Sequence, residues 1–373
     1  MGRTFTVYNC GTAFSRDNAD ETIATLAANT GGREGYDWLI NAGPGSDSTS
    51  TNSTPGAFPG VTTFAYTLPV YNQETAALKA GAMLFAKGLQ EATELWGKVS
   101  GYGWEHNTKR TVEAIKKLNV SGGMPITKVN MAGWSRGAIT CFMIANALMN
   151  DPGTKNITAI NIFGFDPVPG PGHFDDPRKT SLPATVKCYA AVLMQDEEKW
   201  IFKPVAEPEH TENSRRVYYP LPGVHSDGVF RHKSVIGKLA TFLCYRFMRA
   251  WGTNVSGLPW YTHLQMCEMY AEMRMNQLKN AKKGQGWFDK LWDRDFNPLY
   301  HRRREIQNQF HDSVYFINAH HHKLFSICFP EVFLYFENKV NDSNRPQFTK
   351  AVEIMKGKAP KTWESLYEAG IIK

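Results

Sequence analysis

Over the first two thirds of the chain, short apolar runs alternate with longer stretches of helical periodicity. The runs Thr4 to Tyr8, Trp38 to Asn41, Lys128 to Ala132, Thr158 to Gly164, Val186 to Leu193 and Arg216 to Tyr219 predict strands. Several are almost continuously apolar, as strands covered on both faces must be. Helices are predicted at Asn18 to Ala28, Glu74 to Val99, Asn107 to Leu118 and Arg136 to Asn150. Strands alternating with helices imply βαβ units, and so an α/β fold with a mostly parallel sheet flanked by helices. The stretch Ala42 to Gly60, rich in Gly, Pro, Ser and Thr, predicts a long surface loop.

From about His232 the pattern changes. Helical periodicity runs through Lys233 to Trp251, Pro259 to Lys283 and Arg302 to Phe310, followed by a strongly apolar stretch from Leu324 to Phe336. No further alternating strand pattern appears. The division expected is an α/β domain over residues 1–250 and a helical cap or extension over 251–373.

With 42% hydrophobic residues in 373, the chain has the material for a full core, which excludes disorder over most of its length. No run of about 18 apolar residues free of charge is present, so no membrane-spanning helix is expected. The start, MGRTFTVYNCGTAF, lacks the basic flank, apolar run and cleavage site of a signal peptide. Gly2 followed by Thr6 meets the permissive N-myristoylation pattern, but it would acylate an apparent core strand and is not expected to be used. Six cysteines without a CxxC pair read as buried free thiols, neither a disulfide frame nor a zinc site. The net charge of +7 is unevenly placed: Gly228 to Lys373 holds 22 basic and 13 acidic residues, while the preceding part is near neutral. With Trp287 to Trp292 and His301 to Arg304, the C-terminal part suits an anionic membrane surface or an acidic partner, or is a solvated helical face. It carries no nucleic-acid-binding motif, and no nucleic acid is expected as partner.

Candidate chemistry is concentrated in Gly133-Trp134-Ser135-Arg136-Gly137, a G-x-S-x-G placed directly after an apolar strand and before an amphipathic helix. That is the setting of a nucleophile elbow, in which a tight strand-to-helix turn lifts the serine hydroxyl out of the sheet. The bland alternative is a glycine-rich turn whose serine caps the helix. A serine needs a base, and the base an orienting acid. Two acids follow strands: Asp166, at the end of Thr158 to Gly164, and Asp196, after Val186 to Leu193. The usual hydrolase order favours the later strand, so Asp196 stays open as the alternative acid. His225, on the Gly-flanked loop after the last predicted strand, is the candidate base. The consecutive His320, His321 and His322 are expected at the surface rather than in a metal site, because consecutive residues of a helix point in different directions. For the oxyanion hole, one amide is expected from Arg136 and a second from the loop after the first strand, at Gly11 or Thr12.

Together these pieces resemble the bacterial α/β-hydrolase domain of type VI secretion phospholipase effectors and their uncharacterised relatives. That family's opening D-G-T-G-N-like loop is similar to Asn9-Cys10-Gly11-Thr12-Ala13, and its G-F-S-R-G-A elbow to Gly133-Trp134-Ser135-Arg136-Gly137-Ala138. Its W-D-T-V acid strand is similar to Phe165-Asp166-Pro167-Val168, and its P-G-x-H-S-D motif to Pro222-Gly223-Val224-His225-Ser226-Asp227. A segment resembling A-L-D-E followed by F-K-P-V appears at Met194 to Glu198 and Phe202 to Val205. The order of motifs covers residues 4 to 230. Asn9-Cys10 departs from the family's acidic residue, and nothing beyond residue 250 matches.

The resemblance implies a Ser135, Asp166 and His225 triad, with Asp196 structural, and a cofactor-free hydrolysis of lipid esters through an acyl-enzyme. It further implies synthesis in a bacterial cytoplasm, delivery into a target cell by a specialised secretion system, and a chaperone or immunity protein as partner. An esterase or acyltransferase acting on a soluble substrate, or an idle hydrolase fold serving as a binding module, are the alternatives.

Overall fold

The computed structural model describes residues 2–44, 46, 103–121, 123–170, 172–197, 202–211, 214–232, 234–283 and 316–373. The expected helices at Glu74 to Val99 and Arg302 to Phe310, most of the loop from Ala42 to Gly60, and the basic aromatic stretch from Trp287 to Arg304 lie outside the described residues.

Six strands form one sheet: β1 (Arg3–Asn9), β2 (Trp38–Asn41), β3 (Ile126–Trp134), β4 (Ala159–Phe165), β5 (Val186–Met194) and β6 (Arg215–Leu221). Their order across the sheet is β2-β1-β3-β4-β5-β6, and every pairing is parallel. The apolar runs of the sequence are therefore buried on both faces, each strand feeding two cores by alternation. Tyr8, Ala132, Trp134, Phe163, Phe165 and Val192 face one core, which α1 (Thr22–Ala28) and the later helix α5 (Val235–Ala250) cover. Phe5, Val7, Val129, Met131, Ile160 and Leu193 face the other, covered by α2 (Trp104–Val120) and α3 (Arg136–Asn150). Fully burying a side chain of this size stabilises by about 1.5–3 kcal/mol, which is what keeps a six-stranded parallel sheet from separating.

The chain steps from β1 to β2 in one direction and then returns past β1 to lay down β3 and the rest in the other. The carboxyl ends of β1 and β3 are thus the switch point of the sheet, where a crevice opens because their following segments leave towards opposite sides. Both Asn9-Cys10-Gly11 and Ser135 sit there.

Helix α1 begins at Thr22 rather than Asn18. The side chain of Asn18 accepts from the Ser15 amide and closes a turn, and Glu21 becomes the cap, accepting from the Ala24 amide at 3.3 Å. Polar side chains that capture nearby backbone groups compete with helix in this way. After α3 come a short α4 (Pro177–Thr180), then β5 and β6.

Beyond α5 the described chain is helical: α6 (His263–Lys283), α7 (Ala319–Cys328), α8 (Pro330–Phe336), α9 (Arg345–Lys358) and α10 (Pro360–Glu368). The apolar stretch from Leu324 to Phe336 is two helices, broken where Pro330, with no N–H to continue the ladder, takes the first position of α8. A third core gathers Cys267, Phe325, Phe329, Val332, Met355 and Leu366. Helix α6 belongs to two cores, since Met266, Tyr270 and Met273 join the one against the sheet.

Five cysteines are buried and free, and Cys328 is half-buried and free. The histidine run departs from the surface position expected. His321 is buried, its ring stacked on Tyr270 at 5.0 Å with an 11° interplanar angle and its Nδ1 accepting from the Ile317 amide at 3.2 Å. His320 packs edge-on against Tyr219 at 5.2 Å, and only His322 is exposed. Burial lowers the pKa of His320 to about 4 and that of His321 to about 3, so both are neutral packing groups. Three successive helical residues sweep about 200°, and here two of the three directions face the protein. Among the described residues no group of three His, Cys, Asp or Glu side chains converges on a metal-sized site, and no helix is long and apolar enough to cross a membrane.

Candidate active site

The turn from β3 into α3 is as tight as backbone permits. Ser135 adopts φ 55°, ψ −123°, a conformation that costs a non-glycine residue on the order of 1–3 kcal/mol. The flanking glycines make it possible. A Cβ at Gly133 would lie 2.4 Å from the Gly137 carbonyl oxygen, and one at Gly137 would lie 2.1 Å from that of Asn9. The start of α3 is thereby pressed against the end of β1. Ser135 is held from behind by its amide, which donates to the Phe165 carbonyl at 2.9 Å, so the elbow is tied to the end of β4.

Asp166 follows directly on β4 with φ 42°, a second strained residue. Its amide donates to the Val192 carbonyl at 2.8 Å, and its Oδ1 accepts from the Met194 amide at 3.0 Å. With one oxygen so anchored, Oδ2 accepts from His225 Nδ1 at 2.7 Å. Both groups are buried, Asp166 to 1% exposure and His225 to 5%. An ionised carboxylate only accepts, so Nδ1 carries the hydrogen and Nε2 is left with its lone pair.

The imidazole is fixed from its faces as well. It stacks on Trp134 at 5.5 Å and 29°, and on Phe202 at 4.6 Å and 14°. The ring on which the histidine stacks thus belongs to the residue that immediately precedes Ser135. The Ser135 hydroxyl itself makes no hydrogen bond among the described residues, although the residue is buried to 3% exposure.

The histidine loop is held by two neighbouring acids on the segment after β5. Asp196 accepts from the Gly223 amide at 2.8 Å through Oδ2, and its own amide donates to the Gly223 carbonyl at 2.9 Å. Asp196, the alternative acid, thus meets the backbone of the loop, while the imidazole meets Asp166. Glu197, also buried, accepts from the His225 amide at 2.9 Å. Its contact with the His225 amide is invisible in the chain, where it is one acid in the run Asp196-Glu197-Glu198.

The amides of Arg136 and Thr12 carry no hydrogen bond among the described residues, which is the condition for a pair of oxyanion donors. Gly11 differs from the expectation of equivalence with Thr12, because its amide faces the carboxyl of Glu21. Glu21 is wholly buried, and burial raises its pKa to about 7, partly offset by the Ala24 and Gly11 amides and the Cys10 thiol. It also links the loops of the site, pairing with Phe230 across an isolated bridge while the Thr22 amide donates to the Val229 carbonyl at 3.0 Å.

No known protein family matches the chain, and no curated protein matches it. Among solved structures it is similar to an uncharacterized protein from Pseudomonas aeruginosa, with 12% identity and a TM-score of 0.43. The match covers 96% of this chain and 63% of that one, so the chain spans less than two thirds of that protein's length.

Proposed function

We propose that the chain is a serine hydrolase cleaving lipid esters, a phospholipase of the effector type, acting through Ser135, Asp166 and His225. The observation that carries this reading is the buried 2.7 Å contact between Asp166 and His225, set beside a serine in strained backbone at the head of α3. Buried acid–imidazole pairs orient a base and hold its tautomer, and a packing role alone needs neither.

In this scheme His225 Nε2 takes the proton from Ser135 Oγ, and the oxygen attacks the ester carbonyl. The amides of Arg136 and Thr12 receive the oxyanion, aided by the positive end of α3. The imidazolium then protonates the leaving alcohol, and water, activated by the same histidine, clears the acyl group. The contact between Ser135 and His225 closes with substrate in place, as catalytic hydrogen bonds commonly do. No step calls on a metal or organic cofactor. The reading includes an anionic lipid surface as the place of action, and delivery from a bacterial cytoplasm into a target cell, with a chaperone or immunity protein as companion.

The test compares the wild-type chain with Ser135→Ala on vesicles of mixed phospholipids, reading lysolipid and free fatty acid by mass spectrometry. Products from the wild type and none from the variant are expected. Hydrolysis confined to short soluble esters would move the reading to a soluble-substrate esterase, and no turnover of either class would leave a hydrolase fold used for binding.

A further inference from the structure

Arg136 contributes more than its amide. Its side chain is 4% exposed, and among the described residues no carboxylate pairs with it. Nη1 donates to Thr12 Oγ1 at 2.9 Å, but Nε is buried without a partner. Burial lowers its pKa to about 10, which still leaves the guanidinium charged at neutral pH. A buried charge without a counter-ion costs several kcal/mol, so its retention beside a nucleophile calls for a compensating anion.

The surroundings supply further positive charge. Gly170, at φ 83°, lets the backbone of the loop after β4 close on the guanidinium, where a Cβ would come within 2.7 Å of Nη2. Trp104 Nε1 donates to the Arg136 carbonyl at 3.2 Å, and Lys179 Nζ lies 4.3 Å from the centroid of the same indole ring. His173 meets Trp104 edge-on at 4.9 Å and Lys179 Nζ at 3.1 Å. Lys179 is itself buried, and the one carboxylate that pairs with it among the described residues, Asp176 at 3.4 Å, is shared with Arg178, whose Nη2 lies closer at 2.9 Å. Burial, then Lys179 and Arg136, lower the pKa of His173 against an opposing pull from Asp176, so the half-buried imidazole feels both cations.

We propose that Arg136, Lys179 and His173 form an anion subsite on the flank of the nucleophile, and that it takes the phosphate group of the ester substrate. The assignment rests on the ester-hydrolase reading for what the rest of the ligand is, but the subsite itself stands on the cations. Guanidinium and ammonium groups are the usual pair for phosphate, the first by directed donors and the second as a point charge. The head of α3 adds its positive end to the same place.

The experiment is isothermal titration calorimetry on the full-length Ser135→Ala chain, which removes turnover, with inorganic phosphate and with a short-chain soluble phosphatidylglycerol as probes. The short-chain lipid is expected to bind at least ten-fold more tightly than inorganic phosphate, and to lose at least ten-fold on adding Lys179→Gln or Arg136→Gln. Arg178→Gln, which removes an exposed neighbouring cation, is expected to change binding less than two-fold. Circular dichroism checks each variant, and Lys179→Gln carries the test where Arg136→Gln does not fold.

Equal affinity for phosphate and lipid would overturn the assignment of the subsite to substrate. So would lipid binding indifferent to Lys179, or the absence of saturable binding by either probe. Phosphate-dependent binding in a chain whose wild type hydrolyses no ester would sink the hydrolase reading and leave the subsite standing.

Discussion

Two buried carboxyl groups near Ser135, those of Asp166 and Glu21, are governed by different surroundings. Asp166 receives a backbone amide and an imidazole N–H, which together satisfy a buried charge. Replacing it by Asn offers Nδ1 a donor in place of an acceptor, moves the hydrogen to Nε2 and removes the base. On the proposed function, kcat of Asp166→Asn falls on the order of 10^4-fold while the fold is kept, and steady-state turnover with circular dichroism checks both halves. Glu21 has weaker compensation, and burial raises its pKa from 4.5 to about 7. A raised acid binds its proton in the folded state at pH values where the unfolded chain has lost it, so stability falls as pH climbs from 4.5 to about 7. The full loss amounts to about 3 kcal/mol. Glu21→Gln should therefore be more stable than wild type at pH 8, by up to about 3 kcal/mol, with the gap closing at pH 4. Urea unfolding at the two pH values measures it, and an identical difference at both would refute the assignment.

Among the elements, the elbow depends on the absence of two side chains. Gly137 packs on the Asn9 carbonyl, backbone against backbone, so neither partner can swing aside as a flexible side chain would. Gly137→Ala must separate α3 from β1, breaking the registration between the serine and the loop that offers the Thr12 amide. A destabilisation on the order of 3 kcal/mol or more is expected, read as a shift of the urea midpoint. Ser256→Ala, on the loop after α5 and away from this contact, should shift it by less than about 0.5 kcal/mol. The histidine loop shows the same logic in polar form. Glu197→Ala strips the His225 amide of its acceptor, which costs about 1–3 kcal/mol for a buried donor. Its expected signature is a lowered kcat together with slower labelling of Ser135 by a phosphonate probe, because both reactions need the oriented base.

Over the whole molecule, α6 ties the C-terminal helices to the sheet. Met266, Tyr270 and Met273 enter the core that lies on the sheet, while Cys267 enters the one among α7 to α10. Asn318 strengthens the tie, its Nδ2 donating to the Pro220 carbonyl at the end of β6 at 2.6 Å. Because the two cores share a helix, they are expected to unfold together. Calorimetry should show one transition for the wild type. Tyr270→Ala, which empties a fully buried ring stacked on His321, should lower that single transition by the equivalent of about 3–5 kcal/mol. Two separate transitions would show the C-terminal helices to be an independent unit.

The sequence by itself determined the strands, the elbow and the change to helices, because each is written in local terms. Buried parallel strands must be continuously apolar, and a tight turn must carry glycine at the positions where backbones touch. Ser135, Asp166 and His225 could be nominated for the same reason, each lying at the end of a strand or on the loop after one. The choice between Asp166 and Asp196 as partner of the histidine was a matter of distance, and only the folded chain has distances. Tertiary structure alone brought Asp166 to the imidazole, set Asp196 and Glu197 on the loop backbone, and buried His320 and His321 against Tyr219 and Tyr270. It also left Arg136 buried and, among the described residues, without a carboxylate partner. A residue's burial and partners are set by segments tens to hundreds of positions away, and no local pattern of hydrophobic and polar positions encodes them.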